Sequence, residues 1–449
     1  EFVSRWKPGA FTVYNNAGPA VAALIVEKAS GRTFDAYARD AVLRPLGMAT
    51  ADFDLTQDLA RRIAKSYGPD GSVTPYQYIV LKPAGSLNVS ARELAQLARF
   101  FIGRGSIDGR EVLTPQSVAR IESSQSDLGA KYGFHNAYAL GNAPFPDSGP
   151  AFRGHNGSID SFTAVMGYNL RSRSGYVLMA NGGDGVDFAT PLSHMVQAFL
   201  TRGLPRAPPP VARTAPADIA RYAGFYRNIT PSNALLRPYT DVLGFARVTA
   251  GDGKLVTGGY DWYPVDAHSF RRADREEASS AFVEDRGRIY RIGAFSAQEQ
   301  VPFWLVLACG AVAALIALGA VVGVAMLVPW IVGRLRGRLA GRGGLFLRLL
   351  PLLSLTAMAV TFTLPILAYA DSGATAVRQL AQVGWYSLAV MAASILFPLF
   401  ALAGLVLSIR RSDAPAFIRV YAGLASLGLS AAALYAASIG WFAVRTWTM

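Results

Sequence analysis

Four long apolar runs, at residues 303–332, 346–369, 385–409 and 418–444, constrain this chain more than anything else in it. Each is longer than the ~20 residues an α-helix needs to cross a hydrocarbon core about 30 Å thick. Buried helices of a large soluble domain are the other reading, and four successive runs so free of charge argue against it. The runs also account for a composition that is 52% hydrophobic and only 16% charged. Residues 1–300, by contrast, read as an ordinary globular sequence.

The net charge of +13 invites a nucleic-acid partner, but its placement points to a membrane. From residue 302 onward there are ten arginines, no lysine and two acids, Asp371 and Asp413, which puts +8 of the +13 in this region. Arg334, Arg336, Arg338, Arg342 and Arg348 lie between or at the edges of the first two runs, and Arg410, Arg411 and Arg419 flank the last two. The loop between the second and third runs carries Arg378 against Asp371. By the bias of basic residues toward cytoplasmic loops, the two arginine-rich loops are expected inside, with the amino-terminal part and the carboxyl terminus outside. Gly337, Gly341, Gly343 and Gly344 loosen the first of these loops. No acid or base lies mid-span, so a proton relay or ion path is not expected, and anchoring is the simpler role. The single cysteine, Cys309, makes no internal disulfide. The first residues, from Glu1 to Arg5, show neither a charged leader nor an initiating Met, so upstream sequence is expected.

Residues 1–203 alternate helical and strand patterns. Pro19 near a helix start and Gly31 past its end bracket an apolar face of Val21, Leu24 and Ile25. A second helix is predicted from Thr33 to about Leu43. Ser90-Ala91-Arg92-Glu93 is a capping box opening a helix with Leu94, Leu97, Ala98 and Phe101 on one face. Thr114-Pro115 opens another. Residues 162–168 and 176–180 form a predicted hairpin, and 188–200 a closing helix. A proline-rich linker covers 204–216. Residues 217–296 carry short strand-like segments between Gly- and Asp-rich turns, the pattern of a small antiparallel barrel or sandwich.

The chemistry lies in two small constellations. Tyr14-Asn15-Asn16 precedes the first helix, and His155-Asn156-Gly157 follows about 140 residues later. Taken alone, the first fits a turn tyrosine packing its ring and an asparagine capping a helix, and His155 fits a satisfied loop histidine. Their surroundings change this. The stretch from Pro8 to Gly18, Arg44-Pro45-Leu46-Gly47-Met48, the stretch from Pro83 to Ser90, and Gly154-His155-Asn156-Gly157 with its hairpin ending Met179-Ala180-Asn181-Gly182 resemble the serine β-lactamase and penicillin-binding-protein family, closest to its class C and esterase-like branch. The resemblance covers about residues 1–200.

The resemblance implies covalent catalysis, in which a serine of an S-x-x-K motif forms an acyl-enzyme that water or another acceptor releases. Carried over, Tyr14 is the general base and acid. An ordinary tyrosine ionises near pH ~10, so it needs a cationic neighbour to work near neutrality. Asn16 holds the substrate amide or the lysine, and His155-Asn156-Gly157 occupies the place of the family's K-T-G on an edge strand. Gly157 admits the substrate, and the Ser158 amide is one oxyanion donor. Two departures stand out. Ser4-Arg5-Trp6-Lys7 matches the S-x-x-K letters but lies too close to Tyr14, so the nucleophile is expected outside these residues. Ser161 stands where the family often has Gly before the aromatic Phe162. His135, His194 and His268 show no metal-ligand spacing, and no metal or cofactor is expected. The small unit resembles, loosely, the lipocalin-like domain often appended to this family, as a lid, a positioning module or a spacer.

The expected fold is α+β, β-lactamase/transpeptidase-like and incomplete at its amino terminus over 1–203, then a small all-β domain over 217–296, then an all-α region of four transmembrane helices over 302–449. The expected function is a serine hydrolase anchored in the cell inner membrane and facing the periplasm or exterior. Its partners are a small-molecule or peptide substrate and membrane lipid, with no nucleic acid. The alternative is a catalytically inactive, membrane-tethered binding or sensory module. An absent early segment is expected to leave a sheet edge and part of the core exposed.

Overall fold

A computed structural model describes residues 6–68, 70–145, 149–159, 162–182, 185–205, 219–231, 237–336, 344–372 and 379–448. Ser4 and Ser161 lie outside the described residues, as do Arg338, Arg342 and Arg378. The chain divides into two compact units, one of residues 1–232 with 246–300, the other of 233–245 with 301–449.

The first unit begins with helix α1 (Ala17–Ser30), closed by Gly31 in the left-handed region at φ 67°. Helix α2 (Phe34–Ala38), capped by the Thr33 hydroxyl, runs on as a π-helical turn to Leu43. Helix α3 (Gln57–Arg62) and two short strands, β1 (Ser66–Tyr67) and β2 (Val73–Thr74), lead to α4 (Lys82–Gly85) and α5 (Ala91–Ile102). Half of the predicted capping box forms: the Ser90 hydroxyl accepts from the Glu93 amide, while the Glu93 carboxylate accepts from the Ser90 hydroxyl and from the Thr50 amide and hydroxyl. A small ribbon, β3 (Ser106–Ile107) with β4 (Arg110–Glu111), precedes α6 (Pro115–Glu122), which Thr114 caps, and α7 (Leu128–Lys131).

A four-stranded antiparallel sheet follows in the order β5 (Ala143–Phe145), β6 (Phe152–Ile159), β7 (Phe162–Asn169) and β8 (Ser174–Ala180). Strand periodicity sorts its side chains. One face carries Met166, Tyr168 and Val177 into a core with Ala98, Phe101 and Val118, against α5. The other carries Phe152, Val165 and Tyr176 against helix α8 (Gly185–Leu200), which starts earlier than its apolar pattern indicated. Strand β8 is the outer strand among the described residues. The apolar face of α1 exists but is uncovered, with Val21, Leu24 and Ile25 at 41%, 53% and 63% exposure.

The all-β part is a closed eight-stranded antiparallel barrel. It comprises β9 (Gly224–Asn228), β10 (Phe245–Gly251), β11 (Lys254–Thr257), β12 (Tyr260–Pro264), β13 (Ser269–Arg272), β14 (Ser280–Asp285), β15 (Arg288–Gly293) and β16 (Ala297–Val301). Its outer wall shares a core with the first part of the chain, where Tyr290, Ile292 and Val283 meet Leu128, Phe134 and Ala137.

In the second unit, helix α9 (Arg237–Leu243) groups with four helices long and apolar enough to cross a membrane. These are α10 (Phe303–Leu335), α11 (Leu345–Ser372), α12 (Trp385–Arg410) and α13 (Ala416–Ser438). The fourth helix is shorter than its apolar run. Gly440, at φ 84°, turns the chain back, the Trp441 amide bonds to Ala436, and Val444 donates to the Ser394 hydroxyl at 3.0 Å. The barrel-like pattern of 217–296 gave no sign of α9. Its Asp241 is buried and accepts from Tyr435 at 2.7 Å, and Tyr239 bonds Thr363 at 3.1 Å.

Candidate active site

Tyr14 reaches its place because the chain before it is pinned. Gly9 turns at φ 77°, its carbonyl accepts from the Lys131 ammonium at 3.0 Å, and the Ala10 carbonyl accepts from Leu128. The Tyr14 phenol is half-buried at the mouth of α1. Asn16 occupies the cap position of that helix, but its side chain makes no capping bond. The Ala17 amide bonds instead to Asn15 at 2.6 Å. Asn16 is therefore exposed and uncommitted among the described residues, so the cap reading does not explain it.

Strand β6 supplies the second constellation. Its pairing with β5 ends at Gly154, so from His155 to Ile159 only β7 flanks it among the described strands. His155-Asn156-Gly157 thus lies on a free edge without belonging to an outermost strand. Gly157 and its neighbours Asn156 and Ser158 are exposed, and a Cβ on Gly157 would meet nothing within 4 Å. Helix α4 closes the strand's end, where Gly85 allows the approach of Ile159. The Lys82 ammonium is held by Asp35 at 2.7 Å and Asp54 at 2.5 Å.

The two constellations meet. The Tyr14 and His155 rings lie 6.2 Å apart, and a third ring, Tyr138, packs edge-on to both, at 5.4 Å from Tyr14 and 5.7 Å from His155. The His155 Nδ1 lies 2.6 Å from the Asn156 carbonyl, which can only accept. In the neutral ring Nδ1 therefore carries the proton, and Nε2 accepts from the Tyr138 hydroxyl at 3.0 Å. Burial, reinforced by the neighbouring Tyr14, pushes the Tyr138 phenol up to about 12, which keeps it a donor. Ser158 bonds Thr163 across the ladder at 3.1 Å.

Tyr138 escaped sequence reasoning because no motif surrounds it. It is set by the barrel: its amide bonds the Ala294 carbonyl at 2.9 Å and its ring packs on Phe295 at 5.5 Å. Asn136 and Tyr132 of the same loop bond the Ala278 and Glu284 carbonyls. Behind His155, Arg153 donates to Asn136 and Asn142, Asn142 donates to Tyr168, and Tyr168 donates to Glu122. Of the sequence-predicted positions, Tyr14 and His155 meet through their rings and Asn16 follows Tyr14 at the mouth of α1, whereas His135 bonds the Ser124 carbonyl and His268 packs on Tyr132.

A tyrosine at a helix mouth thus meets a histidine on a free strand edge, with a second tyrosine packed against both. The beta-lactamase family profile matches residues 4–198, and the chain carries a domain of that serine β-lactamase and penicillin-binding-protein-like family. It is 27% identical over 201 residues to human beta-lactamase-like protein 1, covering 43% of this chain and 38% of that protein. It is 25% identical over 229 residues to penicillin-binding protein 4 of Amycolatopsis lactamdurans, covering 49% and 60%. Among solved structures, SurE superposes at a TM-score of 0.40 with 18% identity, over 67% of this chain and 70% of SurE. The chain spans only 38% and 60% of the length of these two curated relatives.

Proposed function

We propose that the amino-terminal domain is a serine hydrolase that works through a covalent acyl-enzyme on a peptide with D-residues, an amide or an ester. The observation that carries this reading is the meeting of Tyr14, Tyr138 and His155 beside the unpaired edge of β6. Tyr14 shuttles the serine proton, and Asn16, with no other bond among the described residues, holds the substrate amide or the activating lysine. His155 faces Tyr14 and, with Tyr138 as its donor, sets the hydrogen bonding around the phenol. The Asn156 carbonyl points away from β7 to meet the His155 ring. Strand periodicity turns the Ser158 amide the same way, where it serves as one oxyanion donor. The serine and its lysine lie, in this reading, outside the 449 residues. The barrel acts as a positioning module through Tyr138. The four apolar helices anchor the protein in the inner membrane, and the arginine-rich loops put the catalytic domain on the periplasmic or outer face.

Labelling with a fluorescent penicillin and a fluorophosphonate tests this, using the protein expressed with its upstream coding sequence. An adduct on the serine of a Ser-x-x-Lys segment, slowed by Tyr14→Phe on the order of 10²-fold or more, supports it. A folded protein that takes neither reagent sinks it in favour of a tethered binding module.

A further inference from the structure

The barrel holds a charge that nothing described in it neutralises. Along β15, Tyr290 and Ile292 point outward into the shared core, so Ile289 and Arg291 point into the lumen. The lumen is filled by aromatic and aliphatic side chains, Tyr222, Tyr226, Leu255, Phe270 and Phe282 being fully buried. Arg291 lies over Trp262 with its guanidinium carbon 4.7 Å from the ring centre, and 5.9 Å from that of Phe282. Its hydrogen bonds go to neutral groups at the limit of bonding distance, Ser280 Oγ and Gln298 Oε1, each at 3.4 Å. Ser280 is itself committed, donating to the Ile292 carbonyl at 3.0 Å.

Burial lowers the Arg291 guanidinium to about 10, opposed by the neighbouring Tyr226 and helped by the charge of Arg275. A guanidinium in this setting is ordinarily paired with a carboxylate, because an uncompensated buried charge is costly. No carboxylate among the described residues pairs with Arg291; Glu276 pairs with Arg171, and Glu277 feels Arg153.

The guanidinium borders a cavity of about 220 Å³ lined by Ser279, Ser280, Arg291, Gly293, Ser296 and Gln298, which reaches solvent. Ser279 is one of the lining residues, and its hydroxyl is buried with no hydrogen-bond partner among the described residues. Beyond those two long bonds the guanidinium has no further hydrogen-bond partner among the described residues, and its planar N–H edge matches the two oxygens of a carboxylate.

We propose that this barrel-end cavity is a binding site for an organic carboxylate, held by Arg291 with Ser279 as a second donor. Because the lumen behind Arg291 is filled, the carboxylate enters and the remainder of the ligand stays outside. A ligand ending in a free carboxylate fits, whereas a buried acyl tail does not. The site is independent of the acyl-transfer reading.

Calorimetric titration of the detergent-solubilised chain with N-acetylalanine, and with its uncharged N-methylamide at matched ionic strength, tests the proposal. The acid is expected to bind and the amide to bind at least tenfold more weakly. Inorganic phosphate serves as competitor, and displacement weaker than by acetate is expected for a planar site. Arg291→Met is expected to abolish binding. Ser279→Ala, which leaves the barrel core intact, is expected to weaken binding several-fold and keeps the test valid should the first variant misfold. Equal binding of acid and amide, unchanged affinity in Ser279→Ala, binding retained by a folded Arg291→Met, or preferential binding of phosphate overturns it.

Discussion

Replacing Tyr168 with phenylalanine removes one hydroxyl from the core behind His155 and little else. The ring stacks on Phe101 at 4.9 Å with planes 3° apart, and phenylalanine keeps that contact. The hydroxyl donates to Glu122 at 2.6 Å and accepts from Asn142 at 2.8 Å. Burial first, then the Glu122 carboxylate, hold the phenol far above its usual range, so it remains a donor at any working pH. Glu122 and Asn142 are buried at 9% and 1% exposure, so water does not readily replace the lost group. A hydrogen bond to a charged group contributes about 1.5–3 kcal/mol, and leaving its partner buried and unsatisfied sets the cost toward the upper end. For a unit of this size that corresponds to a fall of about 3–5 °C in melting temperature. The assay is thermal unfolding in detergent followed by near-UV circular dichroism. A fall of less than about 1 °C refutes the reasoning. Adding Glu122→Leu is expected to recover part of the loss, because Arg104, 33% exposed in its side chain, can rehydrate once its partner is gone. If the double variant is no more stable than Tyr168→Phe alone, the hydroxyl does not serve a buried charge.

Four further outcomes follow from particular contacts. Desolvation of the carboxyl itself, opposed by Arg153 and helped by Glu276, holds Glu277 above its usual range, although the residue as a whole is exposed. Ionising it costs the fold stability as pH rises through that raised value, and costs nothing below the unfolded pKa of about 4.3. Glu277→Gln should therefore raise the melting temperature at pH 8 and leave it unchanged near pH 4, and an equal shift at both contradicts the assignment. Gly9→Ala places a Cβ 2.9 Å from the Ser126 carbonyl at a positive φ. A loss on the order of 1–3 kcal/mol, read by thermal unfolding, is expected, and none is expected for Gly18→Ala, where the space is open. In the helical unit, a Cβ on Gly319 falls 2.7 Å from that of Ala425. Gly319→Ile should separate α10 from α13 and lower detergent-phase stability by several degrees. Tyr138→Phe keeps the ring contacts but removes the donor to His155, and should cost about 0.5–1.5 kcal/mol while altering the His155 imidazole resonances in NMR. Unchanged resonances would show that the bond is not formed.

Much of this molecule is readable from short stretches of chain. The apolar runs, the Ser90–Glu93 and Thr114 caps, the hairpin after residue 162 and the left-handed Gly31 are all local. Each depends on residues within a few positions of one another, so periodicity and capping chemistry determine it. The Tyr14 and His155 constellations were also visible, since a motif preserves its own letters.

Other features depend on residues far apart along the chain. The apolar pattern of α1 specified which side chains share a face, but only the fold decides whether that face is covered. The run to residue 444 is uniformly apolar, yet the backbone turns at Gly440. Residues 237–243 sit inside a strand-rich stretch and join the helices instead, through Asp241 and Tyr435, 194 positions apart. Tyr138 enters the candidate site because Ala294 and Phe295 of the barrel hold its loop, and Arg291 stands without a carboxylate because barrel closure turns it inward. The sequence by itself determined most of the regular elements, their order and the two constellations of the candidate site. The tertiary structure decided that β6 has a free edge from His155 onward, that a third ring joins the pair, and that a charge lies unneutralised in the barrel. These are placements made by long-range packing, which no local pattern of residues encodes.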